Sequence, residues 1–443
     1  MKTDSIGKLM YISVITAFLV ANLFPARAES TGIVELTLKR AVELAMQNNG
    51  TIKSLEHQLT AAEYSKKSAA TGFLPKVSTN VTSRHQSGND MISKLMGSSL
   101  DNSYSVGLEI QQPIFTGFAT LNALESAKTS YELQKTTCQK TEQTVRYAVT
   151  RIYWGLVNLR KSCNVANEAV KQLEELTANQ KARMEQGMAT EHDYLLTDAS
   201  LEQARLNVVN VEKSLASTQR LFSVYLGLPV ESSIILTDTL SAATETVLFN
   251  ADSLLQAALQ TRPDLKENNL QLALNEIGIK QARSAYFPTL AAGFSFSESR
   301  PDKLYKDQWG ESWYFYASLN FNILDWGDRV FKVKKAQSQK LSMLALLEQK
   351  RAMVKKEVLD AGEALEQSVR TLNATRKLED AQAKSYQASL SKFEEGVIPL
   401  YELLDVHNDF VTARYKVLEA SAALELARIN LEMGGFGTSS SMQ

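Results

Sequence analysis

Val145, Val149, Ile152, Leu156, Leu159, Cys163, Ala166, Val170 and Leu173 recur in alternating steps of four and three residues. This 3.5-residue period, sustained over four heptads, keeps one apolar seam of a helix turned toward a partner helix, as in a coiled coil. Residues 114–228 contain no proline, so nothing breaks the helix, which is expected from about Phe118 to Gln186. At ~1.5 Å per residue it is a rod on the order of 100 Å long. No ordinary globular core has that length, so helices of similar length must lie beside it.

The chain supplies one itself. At an offset of 209 the seam returns as Val354, Val358, Ala361, Leu365, Ser368, Leu372 and Thr375, in a second rod from about Gly327 to Glu395. In the following helix Leu201, Val208, Leu215 and Phe222 answer to Phe410, Val417, Leu424 and Leu431, and Gly187 answers to Gly396 at the turn. Upstream the offset is 213, with Pro75 answering to Pro288. A register held at this many positions marks a tandem duplication. The first unit is expected over 29–227 (helix, two strands, long helical hairpin) and the second over 253–434. Between them lies a segment, 228–252, with Ile234-Ile235-Leu236 as a strand; a flexible polar tail follows over 435–443.

Ahead of each rod the period changes to two. Val106, Leu108 and Ile110 alternate with Gly107, Glu109 and Gln111; Leu290, Ala292, Phe294 and Phe296 alternate with Ala291, Gly293 and Ser295. Trp313, Phe315, Ala317, Leu319, Phe321 and Ile323 alternate with Tyr314, Tyr316, Ser318, Asn320 and Asn322, and Lys76–Ser83 does so more weakly. Such strands form a sheet with one apolar face, and Tyr104, Tyr305, Trp309 and Trp313 gather near the strand ends like an interfacial girdle. A sheet packed on the helices is the other reading. Strands that span lipid must close into a barrel. Four cannot, since single-chain barrels begin at about eight, so several copies would have to share one. Two copies give eight strands with an interior filled by side chains and three give twelve, so a conducting role favours twelve or more.

Lys2 and Lys8 precede the apolar run Leu9–Phe24, and Ala26-Arg27-Ala28 follows. This pattern reads as a cleaved signal peptide over 1–28, and Ser13, Thr16 and Asn22 argue against a membrane anchor. Export follows. The mature formal charge is −3 against −1 for the whole chain, which gives no field for nucleic acid. A mean hydropathy of −0.20, with no mature run of about 18 apolar residues, excludes a polytopic helical membrane protein. Cys138 and Cys163 stand roughly 37 Å apart along one helix, beyond disulfide reach. There is no phosphate loop, metalloprotease helix or nucleophile elbow. His57, His85, His192 and His407 are scattered, so no catalytic site, metal or cofactor is expected.

Together these residues resemble the TolC-type outer membrane efflux protein family over nearly the whole mature chain. The carriers are Gln260-Thr261-Arg262-Pro263-Asp264-Leu265, the strand entries Phe73-Leu74-Pro75 and Tyr286-Phe287-Pro288, and Pro113–Gly117 with Ile323–Gly327. The hairpin tips Gln186-Gly187 and Glu395-Gly396 through Leu403-Leu404-Asp405 complete the set. The resemblance implies an α+β membrane protein: long coiled-coil helices forming a periplasmic helical barrel, and four strands per chain in a trimeric twelve-stranded barrel. It implies an outer membrane exit duct of a tripartite efflux or type I secretion system, reaching into the periplasm. Its partners would be two further copies, a periplasmic adaptor, an inner-membrane transporter and outer membrane lipid.

By the same likeness the candidate site is the periplasmic tip. Asp193, Glu402 and Asp405 would lie near the aperture, where threefold symmetry makes rings of carboxylates that favour cations. Gly187, His192, Gly396, Ile398 and Pro399 form the adjoining turns. Acids in a helix's first turn also complement its dipole, so a purely structural role for them stays open. Some relatives carry an arginine two residues after the second glycine that locks the closed tip; Ile398 stands there instead. The alternative to a channel is a periplasmic coiled-coil adaptor without a pore.

Overall fold

The structure, a computed structural model, describes residues 34–85, 102–238, 251–303 and 306–433. The signal peptide, the tail, Tyr305 and most of the loop after His85 lie outside the described residues. The first half contains β1 (Val34–Leu36), α1 (Leu38–Asn48), α2 (Gly50–Thr71), β2 (Lys76–His85), β3 (Asn102–Phe115), α3 (Ala119–Glu185) and α4 (Glu191–Leu226). The second contains β4 (Ile234–Leu236), α5 (Ala251–Thr261), α6 (Pro263–Ser284), β5 (Thr289–Arg300), β6 (Gly310–Asn320), α7 (Asp328–Glu394) and α8 (Leu400–Met433). Helices α1 and α5 have 11 residues each, α2 and α6 have 22, and the rods α3 and α7 have 67.

The apolar seam of α3 is buried at Val145, Val149, Ile152, Leu156, Ala166 and Leu173, and that of α7 at Val354, Val358, Leu365 and Leu372. Each rod packs along the helix that returns from it, α4 or α8, and α6 bridges the two rods. Tyr153 lies off the α3 seam yet is fully buried, because α3 also carries a belt of short elements. Its phenol hydroxyl bonds Asp238 Oδ2 at 2.8 Å and reaches the Leu36 carbonyl at 3.1 Å; Leu38 N–H donates to the same Asp238 oxygen. Burial first, then the Asp238 bond, raises this phenol's pKa above its ordinary value. Beside it β1 and β4 pair in parallel, Val34 with Ile234.

The other four strands form one antiparallel sheet in the order β2-β3-β5-β6. Its register aligns Val77, Ile110, Phe294 and Phe315 in one apolar row and Thr79, Leu108, Phe296 and Trp313 in the next. The opposite face carries Ser78, Glu109, Ser295 and Tyr314. Phe315 is 75% exposed and Trp313 65%, so no helix covers the apolar face. The tyrosine ring of Tyr316 lies across Gly293, where an added Cβ would come within 2.4 Å of it, and its hydroxyl donates to Glu109 Oε1 at 2.7 Å.

Two irregularities follow from proline. In β3 the pairing steps from Pro113 opposite Ala291 to Phe115 opposite Leu290, leaving Ile114 as a bulge; Pro113 has no N–H to continue the ladder. The apolar alternation predicted β6 to continue through Ile323, but it stops at Asn320. There its partner β5 begins at Thr289, opposite Asn320, and the preceding Pro288 has no N–H to offer. Within one chain β2 and β6 each keep one open edge. Among the described residues no helix is long and apolar enough to cross a membrane.

Candidate functional site

Each hairpin turn is closed by a glycine in the left-handed region, Gly187 at φ +71° and Gly396 at φ +75°. The residue after each glycine donates its N–H back into the helix: Met188 to the Arg183 carbonyl and Val397 to the Lys392 carbonyl, both at 2.8 Å. A left-handed residue at this place folds the chain back so that the last carbonyls find donors, and glycine takes that conformation without a Cβ clash.

The returning helices start differently. Thr190 caps α4: its hydroxyl accepts from Asp193 N–H at 3.1 Å and donates to Asp193 Oδ2 at 2.6 Å, while Thr190 N–H reaches the same carboxylate at 3.2 Å. This is a reciprocal capping box. The hydrogen bond from Thr190 holds the Asp193 carboxyl below its ordinary pKa, against slight burial. Pro399 occupies the matching place before α8 and can neither donate an N–H nor cap with a side chain. Glu402 and Asp405 are exposed, and neither bonds to another described residue. The sequence grouped these three acids; the structure commits Asp193 to a helix cap and leaves two carboxylates open to solvent. His192 and Pro399 are exposed and Ile398 is half-buried.

His407, one of four histidines scattered in the sequence, is 3% exposed at the contact between the hairpins. Its Nε2 lies 3.0 Å from Gln172 Oε1 of α3, and its ring and that of Tyr386 of α7 meet edge to face. Its Nδ1 has no partner, and burial pushes its pKa down to about 4. Arg414 pairs with Glu168 and Asn207 with Tyr415 a little further along, and Arg183 lies over the Phe393 ring near the tips. The missed signal was the spacing of Leu403, His407 and Phe410, which places the imidazole on the apolar side of α8.

Two helical hairpins of this length carrying a sheet with an uncovered apolar face define a class: proteins of long paired helices that bear an amphipathic β-sheet at one end. The fold is that of solved outer membrane channels. CusC superposes with a TM-score of 0.75 at 17% identity, over 94% of this chain and 95% of that one. The open state of the Neisseria gonorrhoeae MtrE channel gives 0.72 at 17% identity, over 90% and 89%. In sequence, outer membrane protein OprJ of Pseudomonas aeruginosa is 22% identical over 404 residues, 90% of this chain and 84% of OprJ. The Escherichia coli K12 cation efflux system protein CusC is 24% identical over 238 residues, 52% of this chain and 50% of CusC. The model of the outer membrane efflux protein family matches residues 41–228 and 254–433. The chain belongs to the outer membrane efflux protein family. It is an outer membrane channel for efflux; its relatives are channel and transport proteins, and nothing in fold or family supports an adaptor without a pore.

Proposed function

We propose that three copies close a twelve-stranded barrel in the outer membrane and a twelve-helix tunnel beneath it. The observation that carries this is the sheet: an exposed apolar face, an opposite polar face and two open edges. In lipid those edges would strand unpaired backbone groups, and one chain has too few strands to close on itself. The duct is passive, and a periplasmic adaptor and an inner-membrane transporter deliver cargo to its tip. Relatives are named for antibiotic, toluene and cation efflux, so the pump and not the duct sets the cargo. Three copies of Glu402 and Asp405 ring the aperture, attract cations and oppose anions. In planar bilayers, Glu402→Ala/Asp405→Ala is expected to lose block by multivalent cations. Unchanged block would remove the selectivity role, and recovery of the protein as a soluble periplasmic monomer would remove the duct.

A further inference from the structure

We propose that the contact between the two hairpins at His407 is a proton-released latch: an imidazolium there parts α8 from α3 and moves the aperture acids that α8 carries. The inference rests on the reading of the tip as an aperture and adds to it a trigger.

Helix α8 turns two faces to two tasks. Leu400, Leu404 and His407 follow at steps of four and three, which puts them on one side of a helix, and they are 5%, 5% and 3% exposed. Leu400 and Leu404 pack into one apolar cluster with Leu173 of α3 and Leu201 of α4. Glu402, Asp405 and Asp409 follow at steps of three and four on another side, and all three are exposed. The helix is continuous from Leu400 to Met433, so whatever moves its first two turns away from α3 moves the carboxylates with them.

The duplicated frame does not demand an imidazole here. The matching place, 209 residues earlier, is Asp198 of α4, which is half-buried. Nor is the neutral ring fully satisfied: Nε2 has Gln172 Oε1 at 3.0 Å and Nδ1 has no partner. Whichever nitrogen holds the single hydrogen of the neutral ring, the imidazolium carries one on each. Its Nδ1–H is then a buried charged donor without an acceptor, which costs more than the neutral ring does.

The charges around the contact do not offset that cost. From α3, Glu168 is tied to Arg414 of α8, and Lys171 is exposed. Glu175, also of α3, acts on the phenol of Tyr386, whose pKa is pushed up by burial first and by this carboxylate second. From α7, the Tyr386 ring lies 5.3 Å from the imidazole and stacks on Phe410, and Lys384 is held by Asp380 at 2.6 Å. From α4, Arg205 is held by Glu174 and Glu202. None of these sets the titration of His407: burial alone lowers it, to about 4. A ring released into water titrates near 6.5, so between those values the parted state binds a proton that the joined state refuses. Acid therefore favours parting, by up to about tenfold per pH unit in each copy.

Thiol labelling of the full chain in isolated outer membranes tests this, in a Cys138→Ser/Cys163→Ala background. Leu404→Cys reports the contact from within, and the exposed Asn408→Cys corrects for the effect of pH on thiol chemistry. From about pH 7 to about pH 4.5 the labelling ratio of Leu404→Cys to Asn408→Cys should rise at least about tenfold. With His407→Gln or His407→Phe added, it should change by less than about twofold; the second variant guards against one that fails to assemble. A ratio flat with pH in the presence of His407 overturns the proposal, as does an equal rise without it. In planar bilayers the same acid step should lengthen channel openings in Glu402→Ala/Asp405→Ala, whose aperture carboxylates no longer titrate, but not once His407→Gln is added. Openings indifferent to acid, or lengthened without His407, overturn its hold on the tip. Absence of any trimer on unheated gels overturns the trimeric reading, whereas a flat ratio in an intact trimer overturns the latch alone.

Discussion

Asn49 and Arg262 stand 213 residues apart at the start of equivalent helices, and they solve one problem with opposite chemistry. At the first, Asn49 caps α2 through Thr51 N–H at 2.9 Å and donates to the Tyr225 carbonyl at 2.9 Å. At the second, Arg262 grips Asp264 through two bonds and pairs with Glu357, and Lys350 closes on the same aspartate at 2.8 Å. Thr190 and Pro399 differ in the same way 209 residues apart. One helix start satisfies itself and consumes Asp193, and the other leaves Glu402, its counterpart, free. A duplicated frame thus keeps helix length fixed while its polar positions diverge, so the chemistry that differs between halves marks what each half does beyond holding shape.

The largest expected effect breaks the ion cluster. Burial raises the Asp264 pKa, but the hydrogen bonds and charges of Arg262 and Lys350 outweigh it and hold the carboxyl at about 2. Asp264→Ala should cost about 1.5–3 kcal/mol, the worth of a hydrogen bond to a charged group, since the Arg262–Glu357 pair remains, whereas Asn49→Ala should cost ~1 kcal/mol. Thermal unfolding of the purified protein reads both, and equal costs would erase the contrast. The sign with pH follows: a depressed folded pKa gives stability present above the unfolded value near 4 and lost as pH falls toward 2. Next comes His407, whose folded pKa of about 4 lies below the unfolded value near 6.5. The unfolded chain binds the extra proton between those values, so stability should rise with pH from about 4 to 6.5. His407→Gln should flatten that slope in denaturant titrations at successive pH values. A cap exchange is smaller still. Thr190→Ala should lose ~1 kcal/mol, while Pro399→Thr should build a box with Glu402 and gain a comparable amount. In single-channel records that gain should coincide with weaker cation block, since the carboxylate is drawn to the helix end; unchanged block would separate Glu402 from the aperture.

Much of this frame was legible from periodicity. The rods were expected from about Phe118 to Gln186 and from about Gly327 to Glu395, and they run Ala119–Glu185 and Asp328–Glu394, because a heptad seam and glycine stops are local signals. Tyr153 was not legible, since its burial depends on β1 and Asp238, which are distant in sequence. The end of β6 was misplaced because alternation reports a face, whereas strand length depends on a partner edge. At the tips the family likeness singles out the acids without distinguishing among them. Which of them is committed to a cap turns on two uncharged residues, Thr190, which no motif marks, and Pro399, which the sequence marks only as part of the turn. His407 needed a neighbouring hairpin to make its isolation in the sequence meaningful.

The contact of Tyr316 with Gly293 sets a dimension. The glycine is the only residue type that lets the phenol ring lie flat along the polar face and reach Glu109. A single methyl at position 293 would lift the ring away from the sheet, and in the proposed trimer it would do so from three sides of the bore at once. In that trimer calibre would be held by a hydrogen atom: a change too small to disturb the fold would act as a constriction on whatever passes.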